Sequence, residues 1–218
     1  MLSFSCDSDI LKYEPILFGD LHFPWQVLSS GVGGVLSGTS LNVTGVDFTE
    51  SGVEAGGVVY VRSEDGECEG CFEIVSVDSA TSLTISVIRV SSDDEAISPP
   101  GSSDAAWRIS TFRPQAEALD FELTEYLGIG PGNSASGYSA ENILDKSALR
   151  QASVFGSISG IYTTLASSAE DEHFWKKSIH YRKLFERARQ RCRVCLDGGS
   201  DGIADVRMGG ASVRLVRE

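Results

Sequence analysis

The sequence predicts an α+β protein: a small antiparallel β-barrel or sandwich domain inserted ahead of a helical bundle of about three helices, with a C-terminal β-hairpin tail. Three observations predict it. Between Leu41 and Thr111, short β-branched segments alternate apolar and polar residues with period two. From Pro114 onward, apolar residues return every three or four positions, the helical period. Charge divides at the same place: residues 1–110 hold 17 acidic and four basic side chains, and residues 111–218 hold 14 of each, so the whole net charge of −13 lies in the first half. The boundaries that follow are 1–40 for an N-terminal helix or arm with a glycine-rich linker, 41–111 for the barrel, 112–199 for the helical domain and 200–218 for the docking tail.

Residues 7–18, DSDILKYEPILF, read as a short helix or extended arm. Asp7 or Ser8 caps it, and Pro15 ends or kinks it by restricting Glu14. The following SSGVGGVLSGTS reads as a boundary or glycine-rich loop. Strands are expected at Leu41–Thr44, Gly57–Arg62, Cys71–Val77, Leu83–Arg89 and Trp107–Thr111. Asp65-Gly66 and residues 78–82 make tight connections between them. Five short strands in about 70 residues fit a small barrel or sandwich. Residues 91–105 lack periodicity and read as a polar loop projecting from it.

Pro114 suits a first helical turn, where its missing N–H costs nothing. Leu119, Leu123, Tyr126 and Leu127 share a face, and Gly128 closes the helix. A second helix, capped by Asp145 or Ser147, carries Leu149, Ala152, Phe155, Ile158, Ile161, Tyr162 and Leu165 on its apolar side. Its Gly156, Ser157, Ser159 and Gly160 admit a neighbouring backbone, at a propensity cost for each glycine. The third helix spans about 170–196, with acids at its start and arginines at its end, as the macrodipole favours. Gly198-Gly199 stops it. In the tail, Val206, Met208, Val213 and Leu215 alternate around a Gly209-Gly210 turn. A lone hairpin is marginal in water, so this one needs a sheet edge or a partner.

Several function classes are disfavoured. Apolar residues make up 41% and charged residues 22%, which is ordinary globular usage rather than disorder. No apolar run approaches the roughly 18–20 residues of a membrane helix, and the N-terminal residues lack the pattern of a signal peptide. Net acidity argues against a sequence-specific DNA binder. No Ser, Cys or carboxylate adjoins a His in a recognised catalytic motif. GVGGVLSG and GIGPG open no helix and lack the Lys-Ser/Thr of a phosphate loop. Asp93-Asp94-Glu95 lacks the ligand spacing of a calcium loop. Neither an enzyme nor a cofactor is expected.

Two CxxC pairs, Cys68/Cys71 and Cys192/Cys195, are candidate zinc ligands by residue type. Their separation of about 120 residues is far from ribbon spacing. A hairpin disulfide or free thiols in a reducing compartment are the alternatives, and Cys6 is left over in either scheme. His173 and His180 lie roughly 10 Å apart along a helix, too far to share a metal. The strongest interaction signal is basic. Residues 173–193 carry eight Lys/Arg against Glu186 alone. Arg182, Arg187, Arg189, Arg191 and Arg193 are therefore candidate partner-binding residues, together with Val206, Met208, Val213 and Leu215 of the tail, which can add to a neighbouring sheet edge.

The segment FEIVSVDSATSLTISV (72–87) resembles small β-domains that recur in tailed-bacteriophage structural proteins. FRPQAEALDFELTEYLGI, LRQASVFGSISGIY and HYRKLFERARQRCR resemble head–tail connector, or adaptor, proteins. The resemblance covers most of residues 41–218 and is one of layout, not of a catalytic signature. It implies a structural virion protein, assembled in the host cytoplasm into a ring, commonly a dodecamer. Such a ring binds the portal protein on one side and a neck or tail-terminator protein on the other, and genomic DNA passes through it. The inserted barrel departs from the minimal helical adaptor. It leaves open another tail or baseplate component, or a zinc-binding or nucleic-acid-contacting interaction protein. A cyclic oligomer needs two unlike faces on each subunit, and an acidic lumen avoids the phosphate contacts that would hold DNA in place.

Overall fold

The computed structural model describes residues 3–169, 172–209 and 212–215. The chain is α+β and folds as two compact units, one of residues 6–112 and one of residues 1–5 with 113–218.

The first unit begins with α1 (Asp7–Leu11) and α2 (Ile16–Gly19). Six strands follow: β1 (Val27–Ser37), β2 (Ser40–Asn42), β3 (Val58–Ser63), β4 (Glu69–Ser79), β5 (Ser82–Ser86) and β6 (Ser102–Ser110). They close an antiparallel barrel in the order β1-β2-β5-β4-β3-β6, with β6 returning to pair with β1. Closure leaves no strand edge within the barrel. Phe72, Ile74, Leu83 and Ile85 of the period-two alternation point inward with Val59, Val61 and Ile109, whereas Val87 lies beyond β5 and is exposed. Phe48 meets Trp107 edge-on at 5.5 Å between ring centroids. Outside, α1 and α2 lie on β3 and β4, burying Ile10, Leu11, Leu17 and Phe18. Arg108 holds α2 down: its Nη2 donates to the carbonyls of Phe18 (2.9 Å) and Gly19 (2.7 Å).

The glycine-rich segment expected as a linker or loop is instead β1, an eleven-residue strand of the barrel. Gly31 pairs with Trp107 across the β1–β6 ladder. A Cβ at Gly31 would lie 2.9 Å from the indole and one at Gly34 would lie 3.0 Å from it. Between them the register shifts and Gly33 adopts φ +76°, a bulge geometry that favours glycine. These glycines let the wall close over a large core ring. The compact unit that holds the barrel runs from residue 6 to residue 112, and its first strand starts at Val27. Residues 102–105, expected in a loop, form the start of β6.

The second unit contains α3 (Arg113–Leu127), α4 (Ser147–Ala169) and α5 (Glu172–Arg191). α4 packs against both others. The expected apolar faces are buried: Leu123 on α3, Leu149, Phe155, Ile158 and Tyr162 on α4, Tyr181 and Phe185 on α5. Gly156 lies beneath the side chains of Leu119 and Phe185 and leaves no room for a Cβ. Small hydroxyls join α4 to α5: Ser159 Oγ donates to Ser178 O at 3.1 Å, and Thr163 and Ser178 share a hydroxyl bond of 2.7 Å. Residues 3–5 belong to this unit. Phe4 N donates to Asp120 Oδ2 (3.2 Å), Ser153 Oγ donates to Asp120 Oδ1 (3.2 Å), and the Ser5 and Ser153 hydroxyls lie 2.8 Å apart.

The third helix ends at Arg191, short of the expected 196, because the chain there turns into β7 (Val194–Leu196). β7 pairs with β8 (Val206–Gly209), which pairs with β9 (Ser212–Leu215). The hairpin thus finds its supporting edge in its own chain. Ile143 bridges Leu196 on the far side of β7; among the described residues, β9 pairs with β8 alone. No described helix is long and apolar enough to cross a membrane.

Candidate assembly surfaces

The face of α5 opposite its buried residues is exposed and mixed in character. Trp175 (51% exposed) and Ile179 (40%) stand one turn apart, and Arg182 follows three residues on, in the same row. Lys176, Lys183 and Arg187 form the adjacent exposed row. The five arginines expected to bind a partner divide. Arg182, Arg187, Arg191 and Arg193 are exposed, Arg182 within 3.6 Å of Glu186.

Arg189 is half-buried and turned toward α3. Its Nη1 donates to Glu122 Oε1 at 2.9 Å, and its guanidinium lies 4.7 Å from the Tyr126 ring centroid and 5.0 Å from that of Phe185. It packs two helices of one unit together. Arg193 Nη1 donates to the carbonyls of Gln190 (3.2 Å) and Cys192 (2.9 Å), satisfying acceptors left free at the helix end. Arg191 and Arg193, with Ala148, Gln151 and Cys192, line a pocket of about 200 Å³. In the tail, Val206 is buried within its own unit and Met208 is half-buried. Val206, expected as a docking residue, contributes its side chain to the interior of its own unit. The side chains of Val213 and Leu215 lie outside the described residues.

The barrel unit offers the opposite character. All four of its basic residues are engaged within it. Lys12 Nζ is 3.8 Å from Asp9, Arg62 Nε is 3.9 Å from Glu69, Arg89 pairs with Glu73, and Arg108 caps α2. The Arg89–Glu73 pair is buried and bidentate: Nη2 donates to Oε1 at 2.9 Å and Nε to Oε2 at 3.2 Å. Arg89 Nη1 then donates to the carbonyls of Ser92 (2.8 Å) and Asp94 (2.7 Å). Val87 N donates to Ile97 O at 3.0 Å and Ile97 N to Ser86 Oγ at 2.8 Å. Residues 87–97, of which 87–89 were expected in a strand and 91–97 in a projecting polar loop, are thus pinned to the barrel through a buried ion pair. The pinned loop presents Val90, 95% exposed, and Ile97, 53% exposed, beside the exposed Asp93, Asp94 and Glu95.

Trp175, Ile179, Val90 and Ile97 are among the exposed apolar residues that sequence reasoning did not single out. The signal for the helix pair was their i, i+4 spacing off the buried stripe. For the loop it was a lone arginine and two aliphatic residues within an acidic, polar run.

The cysteines are all free thiols. Cys68 points into the barrel core. Cys71 lies outside it, with its Sγ 3.7 Å from Pro15 O. Desolvation pushes the Cys71 thiol up to about 11 and raises those of Cys6, Cys68 and Cys192 as well. Burial thus disfavours the thiolate form of these four sulfurs. Cys192 Sγ donates to the carbonyls of Ala188 (3.3 Å) and Ala148 (3.5 Å), and Cys195 sits in β7. The two CxxC pairs fall in different units. Among the described residues, no group of three or more His, Cys, Asp or Glu side chains is placed to hold a metal ion.

Comparison of the chain with protein-family models, with curated proteins and with solved structures gives no match. What the geometry offers is a pair of unlike surfaces: an acidic, closed barrel with one pinned loop, and a helix whose outer face is aromatic and basic.

Proposed function

We propose that this chain is a structural subunit of a tailed-bacteriophage head–tail connector. In this reading it is a part without catalytic activity, built as a barrel inserted in a helical adaptor. It assembles into a ring between the portal protein and a neck or tail-terminator protein, with genomic DNA passing through. The observation that carries the proposal is the concentration of the net negative charge in one unit and of exposed basic residues on one helix of the other. Residues 6–112 contain 17 acidic and four basic residues, and each basic one is engaged within the unit. Five exposed arginines and lysines, Lys176, Arg182, Lys183, Arg187 and Arg191, collect on α5. Ring subunits meet head to tail, so the two faces in contact differ, and opposite charge on them selects the correct pairing. An acidic surface toward the passage keeps DNA from being retained by phosphate contacts. The resemblance of the 113–193 segments to adaptor proteins points the same way.

The test is reconstitution. Portal rings from the same genome, mixed with the purified chain and imaged by electron microscopy, are expected to acquire one additional coaxial ring. Purified virions are expected to contain the chain at the neck. Its absence from purified virions, together with bare portal rings, overturns the proposal.

A further inference from the structure

We infer that the contact between neighbouring copies is made by the pinned loop 87–97 of one barrel seated on the outer face of α5 of the next copy. This inference rests on the ring assembly proposed above and names its interface. Both surfaces combine an apolar centre with charge, and the charges are opposite. The loop carries Val90 (95% exposed) and Ile97 (53%) beside Asp93, Asp94 and Glu95. The helix carries Trp175 (51%) and Ile179 (40%) beside Lys176, Arg182 and Lys183. An aliphatic loop tip against an exposed tryptophan, ringed by ion pairs, is the composition of an interface hot spot and its rim.

The loop is also prepared for the contact. Arg89, buried against Glu73, fixes the carbonyls of Ser92 and Asp94, and Asp94 Oδ2 accepts from Ser91 N at 2.9 Å. A loop already ordered loses little entropy on docking. That function explains why the barrel buries an ion pair, an arrangement that is weak as a source of stability alone. The partner is a second copy because the two complementary surfaces lie on one chain but in different units. Each copy therefore carries one of each, and the contact can repeat around a ring.

The experiment is sedimentation velocity on the full chain at low and high salt, with circular dichroism confirming each variant folded. The wild type is expected to form a closed oligomer at low salt that dissociates as salt rises. Trp175→Ala is expected to weaken association at least tenfold. Asp93→Lys with Glu95→Lys, which leaves the structural Asp94 in place, is expected to abolish it. Arg182→Glu with Lys183→Glu is expected to do the same, and an equimolar mixture of the two charge-reversed proteins to regain heterotypic association. Rings that form normally in every variant overturn this interface and leave the ring reading intact. A wild type that stays monomeric at every concentration also overturns the interface, and portal binding by that monomer then decides the ring reading independently.

Discussion

Both units bury more than one carboxylate, and Glu73 of the barrel unit and Asp120 of the helical unit are buried in different company. In the barrel, Glu73 meets a guanidinium in a bidentate pair. In the helical unit, Asp120 meets neutral donors, among them Phe4 N and the hydroxyls of Ser153 and Ser3, with no cation among the groups that shift it. Desolvation raises the Asp120 carboxyl to about 6, against the lowering effect of those bonds. The difference shows what each burial does. The charged pair anchors a presented loop. The lone acid ties the extended residues 3–5 to α3 and α4 with groups that respond to pH.

The largest effect expected from this contrast comes from breaking the pair. Arg89→Met leaves Glu73 buried without its counter-ion and should cost about 3–5 kcal/mol in chemical denaturation. Replacing both, Glu73→Leu with Arg89→Met, should recover most of that stability while leaving loop 87–97 mobile by hydrogen exchange. A double variant as destabilised as the single one would show that the pair is a source of stability, not a positioning device.

The barrel wall gives the next effect. Gly31→Ala drives a methyl group into the Trp107 indole, and this overpacking should cost about 1–3 kcal/mol. Trp107→Leu in the same background should relieve part of the loss, measured by thermal unfolding.

Asp120 gives a smaller and pH-dependent effect. The folded state holds its proton up to about 6, whereas the ordinary value is 3.8. Its contribution to stability is therefore complete below the ordinary value and is lost as pH rises through about 6. The wild type should gain stability relative to Asp120→Asn as pH falls between those values. Parallel melting-temperature profiles for the two proteins would remove Asp120 as the cause. The smallest effect belongs to the exposed Arg182–Glu186 pair, where Glu186→Gln should change stability by no more than about 0.5 kcal/mol.

How much of this was legible in the sequence depended on whether the cause of a residue was local. The apolar stripes of α3, α4 and α5 and the alternation of β4 and β5 depend on spacing within each segment and could be read directly. β1 could not, because its glycines answer to Trp107, an inward ring on another strand. Arg189 read as one more exposed arginine because Glu122 and Tyr126, which turn it inward, lie on α3. β7 was hidden in a run that continues the helical pattern, and only its pairing with Met208 and Val206 makes it a strand. The pinned loop was read as free because its anchor is a pairing between β4 and a residue beyond β5.

The central claim, a repeating contact between the acidic loop and the basic helix, is tested most directly by cross-linking. Val90→Cys and Ile179→Cys, combined in one chain and oxidised, should give a ladder of disulfide-linked oligomers ending at the ring, while either substitution alone gives none beyond the wild-type background. A double variant that stays monomeric on a non-reducing gel, while sedimenting as a ring, would contradict the account.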